Sequence, residues 1–120
     1  MDSKPKISVN YDKGLTIVSF ANEKILEETD ILALQESIMS VVDGAKNLKL
    51  ILDFGNVQFL SSAVLGLLLR LSKKVYESQG QLRLCCINPK IYEIFKITRL
   101  TKIFDIYDTL QEAKESLAKN

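Results

Sequence analysis

The sequence predicts an α/β domain built on a mixed, mostly parallel sheet, with an N-terminal β-hairpin and about four helices. Three observations carry this. Ile7 to Tyr11 and Leu15 to Phe20 are strand-like runs separated by Asp12-Lys13-Gly14, the signature of a hairpin. Leu48, Leu50, Ile51, Leu52 and Phe54 form a nearly continuous apolar run, as in a strand covered on both faces. Beyond it, strand and helix patterns alternate, and strands joined through helices make right-handed crossovers in a parallel sheet.

In the hairpin, Ile7, Val9 and Tyr11 alternate with polar residues, and LTIVSF is the returning strand. Ala21 to Glu28 reads as a polar connection. Thr29 or Asp30 then caps a helix whose apolar positions Ile31, Leu34, Ile38, Val41 and Val42 keep the helical period as far as Asp43-Gly44. The central strand ends at Gly55-Asn56, and a brief extended piece, Val57 to Leu60, leads to the serine pair Ser61-Ser62. From Ala63 the apolar residues Val64, Leu65, Leu67, Leu68, Leu69, Leu71 and Val75 run at helical spacing to a stop at Gly80. So wide a stripe leaves Arg70, Ser72, Lys73, Lys74 and Glu77 for solvent. Gln81 to Ile87 is the next strand, and Asn88-Pro89 pairs an N-cap with proline at the first position of a short helix carrying Ile91, Ile94 and Phe95. After a brief extended Ile103 to Ile106, Asp108 with Gln111 resembles a capping box for a last helix that buries Leu110, Ala113 and Leu117. Lys119-Asn120 is a solvated tail. Residues 1–120 read as one domain, with no repeat, linker or low-complexity segment.

Composition excludes several functions. With 47% hydrophobic and 26% charged residues, 120 residues suffice for one compact core. Sixteen Lys and Arg against fifteen Asp and Glu give a formal charge of +1, and no basic stripe with interleaved aromatics is present. Nucleic acid is therefore not expected as a direct partner. The N-terminus lacks a signal-peptide apolar region and no apolar run approaches the roughly 20 residues of a membrane span, so a cytoplasmic protein without a membrane segment is expected. There is no histidine, which rules out Ser-His-Asp and Cys-His sites and any metal site relying on imidazole. No Gly-rich phosphate loop occurs, and Gly55, Gly66 and Gly80 read as turn, helix-to-sheet packing position and helix C-cap. Most of the carboxylates Glu27, Glu28, Asp53, Asp105 and Asp108 sit at element ends, where capping and solvation account for them. Cys85 and Cys86 are adjacent; on a strand they point to opposite faces, and they read as small buried apolar residues without a redox role. No enzymatic activity, cofactor or metal is expected.

One serine of the pair is the natural N-cap of the central helix, a role worth about 1 kcal/mol. Its hydroxyl would lie at the positive end of a helix dipole, where a phosphate is also tolerated. The segment LILDFGNVQFLSSAVLGLL, the run Cys85-Cys86-Ile87-Asn88-Pro89 and the stretch IFKITRLTKIFDIYDTLQEAKESL together resemble the STAS-domain family of bacterial anti-sigma-factor antagonists, over nearly the whole chain. In that family the central strand leads to a hydrophobic residue, an Asp, a Ser, a small residue and usually a Gly at the start of a helix. Phe59-Leu60 precede this stretch here, with Ser61 at the Asp position, Ser62 at the serine, Ala63 at the small residue and Val64 at the Gly. The resemblance implies a STAS-like fold and a non-catalytic regulator of sigma-factor-dependent transcription. Its partner would be a kinase-type anti-sigma factor that phosphorylates Ser62. It further implies a partner surface of Ser61, Ser62, Ala63, Gly55, Asn56, Gln58, Glu23, Lys24 and Glu27, on a monomer or weak dimer. The alternative is an unphosphorylated STAS scaffold or accessory subunit of a signalling or transport assembly, which Ser61 in place of the acid favours.

Overall fold

Lys13 and Gly14 both take positive φ, 52° and 85°, the pair that a two-residue type I′ turn requires. They join β1 (Ile7–Asp12) to β2 (Leu15–Phe20), which pair antiparallel from Ile7 opposite Phe20 to Asp12 opposite Leu15. The computed structural model describes residues 7–118, so the readings of the first six residues and of Lys119-Asn120 lie outside it. After the hairpin come β3 (Lys24–Ile25), α1 (Glu28–Val42), β4 (Lys49–Asp53), β5 (Phe59–Leu60), α2 (Ser62–Glu77), β6 (Gln81–Cys85), α3 (Pro89–Ile97), a 3₁₀ turn (Leu100–Lys102), β7 (Ile106–Tyr107) and α4 (Leu110–Ala118).

The expected α/β architecture holds. β1, β2, β4, β6 and β7 form one sheet in that order, antiparallel at β1–β2 and parallel thereafter. The two-residue period sorts side chains onto its faces. Val18 and Phe20 of β2, Leu50 and Leu52 of β4, and Leu82 and Leu84 of β6 pack with α1, α2 and α3. Leu15, Ile17, Ile51 and Cys85 face the other way, under Ala113 and Leu117 of α4. Both faces are covered, which is why β4 reads as an unbroken apolar run.

The structure departs from the sequence expectations at several joints. The polar connection contains β3, which pairs parallel with β5 through Lys24 opposite Phe59 and Ile25 opposite Leu60. Two residues carry too little period for such a strand to be visible in sequence. Helix α1 starts at Glu28 with Glu27 at its N-cap position and no side-chain cap, rather than at Thr29 or Asp30, because the chain turns into the helix directly after β3. At α4 the capping box lies one residue on: Glu112 N donates to Thr109 Oγ1 at 3.1 Å, and Thr109 N to Glu112 Oε1 at 3.3 Å. This register puts Ala113 and Leu117 on the sheet. On α2, Ser72 is buried and Leu69 exposed, and on β1 Tyr11 faces solvent. The left-handed residue after α2 is Gln79, φ 63°, not Gly80. Gly80 N closes the helix on Val75 O at 2.9 Å, and a Cβ on Gly80 would stand 2.6 Å from the Leu48 carbonyl oxygen. Glycine is needed there for close approach to the strand, not for its φ. Gly66 packs near the Arg70 side chain of its own helix, not against the sheet.

Candidate functional site

Ser61 takes extended backbone angles, φ −90° and ψ 164°, and is the N-cap residue of α2; Ser62 is the first helical residue. Ser62 therefore does not cap the helix. Ser62 and Ala63 are exposed, and no acidic side chain occupies the first turn. No acidic side chain of that turn offsets the positive end of the helix dipole. Ser61 caps only through its backbone: its carbonyl accepts from Val64 N at 3.0 Å, while its N–H donates to Ile25 O at 3.0 Å. The Ser61 Oγ is buried and has no hydrogen-bond partner among the described residues. Because that hydroxyl is desolvated without compensation, Ser61→Ala is expected to leave stability unchanged or raise it by up to about 1 kcal/mol in urea unfolding. A loss above about 1 kcal/mol would mean that the hydroxyl holds a partner.

A network of short bonds fixes the approach to Ser62. Gly55 N donates to Asp53 Oδ1 at 2.8 Å, turning the chain out of β4. The Asn56 amide reaches back to Ala21 O at 2.9 Å. Gln58 N and Phe59 N both donate to Glu23 O, at 2.8 and 3.2 Å. From the other side, Asn88 Nδ2 donates to Val57 O at 3.1 Å while Asn88 Oδ1 accepts from Ile91 N at 2.9 Å, so one side chain caps α3 and holds the turn before β5. Asn88→Ala should cost about 1–2 kcal/mol and speed amide exchange at the start of α3. Unchanged exchange there would contradict this double role.

Glu23, Lys24, Gly55, Asn56, Gln58, Ser61, Ser62 and Ala63 are thus tied along one ridge by β3, β5 and their turns, and all but Ser61 are exposed. Glu27 is exposed two residues beyond Ile25, at the N-cap of α1, where its carbonyl accepts from Ile31 N at 3.0 Å and its side chain makes no cap bond. Two residues absent from the expected set share this neighbourhood. Phe59 is 45% and Leu26 49% exposed, and Lys24 Nζ lies 5.7 Å from the centroid of the Phe59 ring. A signal for Phe59 was present in the sequence. With Leu60 turned inward, strand alternation turns Phe59 out.

Convergent catalytic chemistry is not seen among the described residues. Asp12 pairs with Lys114 at 3.0 Å, Asp43 with Lys74 at 2.7 Å and Asp105 with Arg83 at 3.4 Å, each at a different place on the surface. Burial pushes both thiol pKa values up, so neither Cys85 nor Cys86 is a ready thiolate nucleophile. The two cysteines do not point to opposite faces as expected: β6 ends at Cys85, and Cys86 has φ 63°, which breaks the strand alternation. Surface clefts of 250 to 430 Å³ lie beside α4, the hairpin turn, β7 and the loops around Asn47 and Gln79; none of these includes Ser61 or Ser62. Among the described residues no helix is long and apolar enough to cross a membrane.

Residues 7–113 match the STAS domain family. This chain belongs to the STAS-domain family. BtrV of Bordetella bronchiseptica, assigned as an anti-sigma factor antagonist, is 25% identical over 91 residues, covering 76% of each chain. Among solved structures, an anti-sigma-factor antagonist (STAS) domain protein from Planctomyces limnophilus superposes with TM-score 0.86 at 28% identity, covering 93% of this chain and 97% of that one. An anti-sigma factor antagonist from Mycobacterium paratuberculosis gives TM-score 0.81 at 26% identity, covering 92% and 91%. The ridge beside Ser62 is thus part of a STAS domain, with β3, β5 and the start of α2 as its frame.

Proposed function

We propose that this STAS domain is a cytoplasmic anti-sigma-factor antagonist that binds a kinase-type anti-sigma factor and is released when that kinase phosphorylates Ser62. The observation that carries the proposal is the placement of Ser62. Ser62 is exposed at the first helical position of α2, beside an exposed ridge tied by hydrogen bonds from both sides. The names of the relatives support the class of partner, and the scatter of ion-paired carboxylates supports a binding role over a catalytic one.

The ridge offers a partner two chemistries. Phe59 and Leu26 supply apolar contact area, while Glu23, Lys24, Glu27, Asn56 and Gln58 supply a polar surround, the arrangement of a binding hot spot with its rim. Phosphate on Ser62 adds about −1.5 to −2 charges at the edge of such a contact. The helix end accommodates that charge within the domain, whereas a closed interface must desolvate it.

Backbone amide chemical shifts measured as the kinase is added test the assignment. Large changes are expected at residues 23–27, 55–59 and 61–63. Changes confined to α4 would overturn it. The resembled family carries an acid where this chain has Ser61, so Ser61→Asp should speed phosphate transfer by supplying a charge that helps orient the serine. An unchanged rate would show that the kinase reads the ridge without a carboxylate.

A further inference from the structure

The carboxyl ends of β4 and β6 lie side by side, with Asp53 opposite Cys85 in register. Because Cys86 leaves the strand in the left-handed region, its sulfur comes round to the same place. The two sulfurs and a carboxylate oxygen of Asp53 all lie within 4.8 Å of one another. A non-glycine residue holds that backbone conformation at a cost of roughly 1 kcal/mol or more, so the convergence is not the relaxed geometry of a strand end. Asp53 is half-buried, and none of the ion pairs among the described residues includes it. Its carboxylate accepts from the Gly55 N–H at 2.8 Å. Gly55 also keeps the space clear. A Cβ there would stand 3.1 Å from Asp53 Oδ1 and 3.8 Å from Cys86 Cβ.

We propose that Asp53, Cys85 and Cys86 form a binding site for a thiophilic divalent cation of the zinc class, leaving one coordination position for water or a further ligand. Two thiolates and a carboxylate are a donor set that zinc accepts, in a tetrahedron whose donors stand about 3.3–3.8 Å apart. From separations of up to 4.8 Å the donors need to close by at most about 1.5 Å, within the range of side-chain rotations. Binding replaces the two thiol protons, which pass to solvent, and supplies the countercharge that Asp53 lacks. The sequence gives no hint of this site, because its three donors come from two strand ends and depend on the turn at Cys86.

Cobalt(II) is the direct probe. The full chain, reduced and stripped with chelator, is titrated anaerobically with Co²⁺ and then with Zn²⁺. One Co²⁺ per chain should bind with near-ultraviolet thiolate-to-cobalt absorption and the strong visible bands of tetrahedral cobalt, and Zn²⁺ should abolish both. Cys86→Ser, which leaves the buried Cys85 in place, should lose roughly half the thiolate absorption and bind at least about tenfold more weakly. Asp53→Asn should keep the thiolate bands and weaken binding by at least about tenfold. Absence of thiolate-to-cobalt absorption in the wild-type chain would overturn the proposal. So would an affinity unchanged in Cys86→Ser or in Asp53→Asn.

Discussion

Ser62→Glu is expected to bind the partner kinase about five- to 150-fold more weakly than wild type and to melt at nearly the same temperature. The range follows from a coupling of about 1–3 kcal/mol, usual for such switches. Binding and stability separate because the charge meets two different environments. Within the domain it sits in the first turn of α2, where no acidic side chain competes for the exposed N–H groups. In the complex it must lose water on a surface that also carries the exposed carboxylates Glu23 and Glu27. Ser62→Ala should bind as wild type, take up no phosphate and unfold within about 0.5 kcal/mol of wild type, since its hydroxyl is not the helix cap. Titration calorimetry with each variant, beside thermal melts, checks both halves. Equal affinity of Ser62→Glu and wild type would contradict the switch.

Phe54→Ala should cost about 3–5 kcal/mol, the largest loss expected from a single site near the ridge. Phe54 is fully buried, and its ring lies 4.7 Å from that of Phe20, centroid to centroid. Its backbone also ties two elements: its N–H donates to Cys85 O at 3.0 Å and its carbonyl accepts from Val57 N at 2.9 Å. Removing the ring opens a cavity beneath the turn that leads to β5, so partner affinity should fall along with stability. Urea unfolding measures the first effect. A loss below about 1 kcal/mol would mean that the core closes over the gap.

The long elements were legible because each buries a face large enough to impose its period. β4 is covered by helices on both sides, and its apolar run says so directly. Asn88-Pro89 marked the start of α3 through chemistry that only a cap needs, and Asn88 Oδ1 indeed accepts from Ile91 N. The failures lie where two local solutions compete or where the decisive contact is distant. DTLQE holds two overlapping capping boxes, and the packing of Ala113 and Leu117 selects the second. β3 is made by its bonds to β5, more than thirty residues on, and nothing between Ala21 and Glu28 announces it. The serine pair was legible as a helix start, but which serine enters the helix was not. Ile25 O, by accepting from Ser61 N, fixes Ser61 outside the first turn and leaves Ser62 exposed as its first residue.

Mass spectrometry of the wild-type domain after incubation with its kinase-type anti-sigma factor and ATP tests the central claim most directly. One phosphate on Ser62, and none on the buried hydroxyl of Ser61 beside it, is the result predicted. Phosphate on a different residue, or none at all under conditions where the kinase binds the domain, would contradict it.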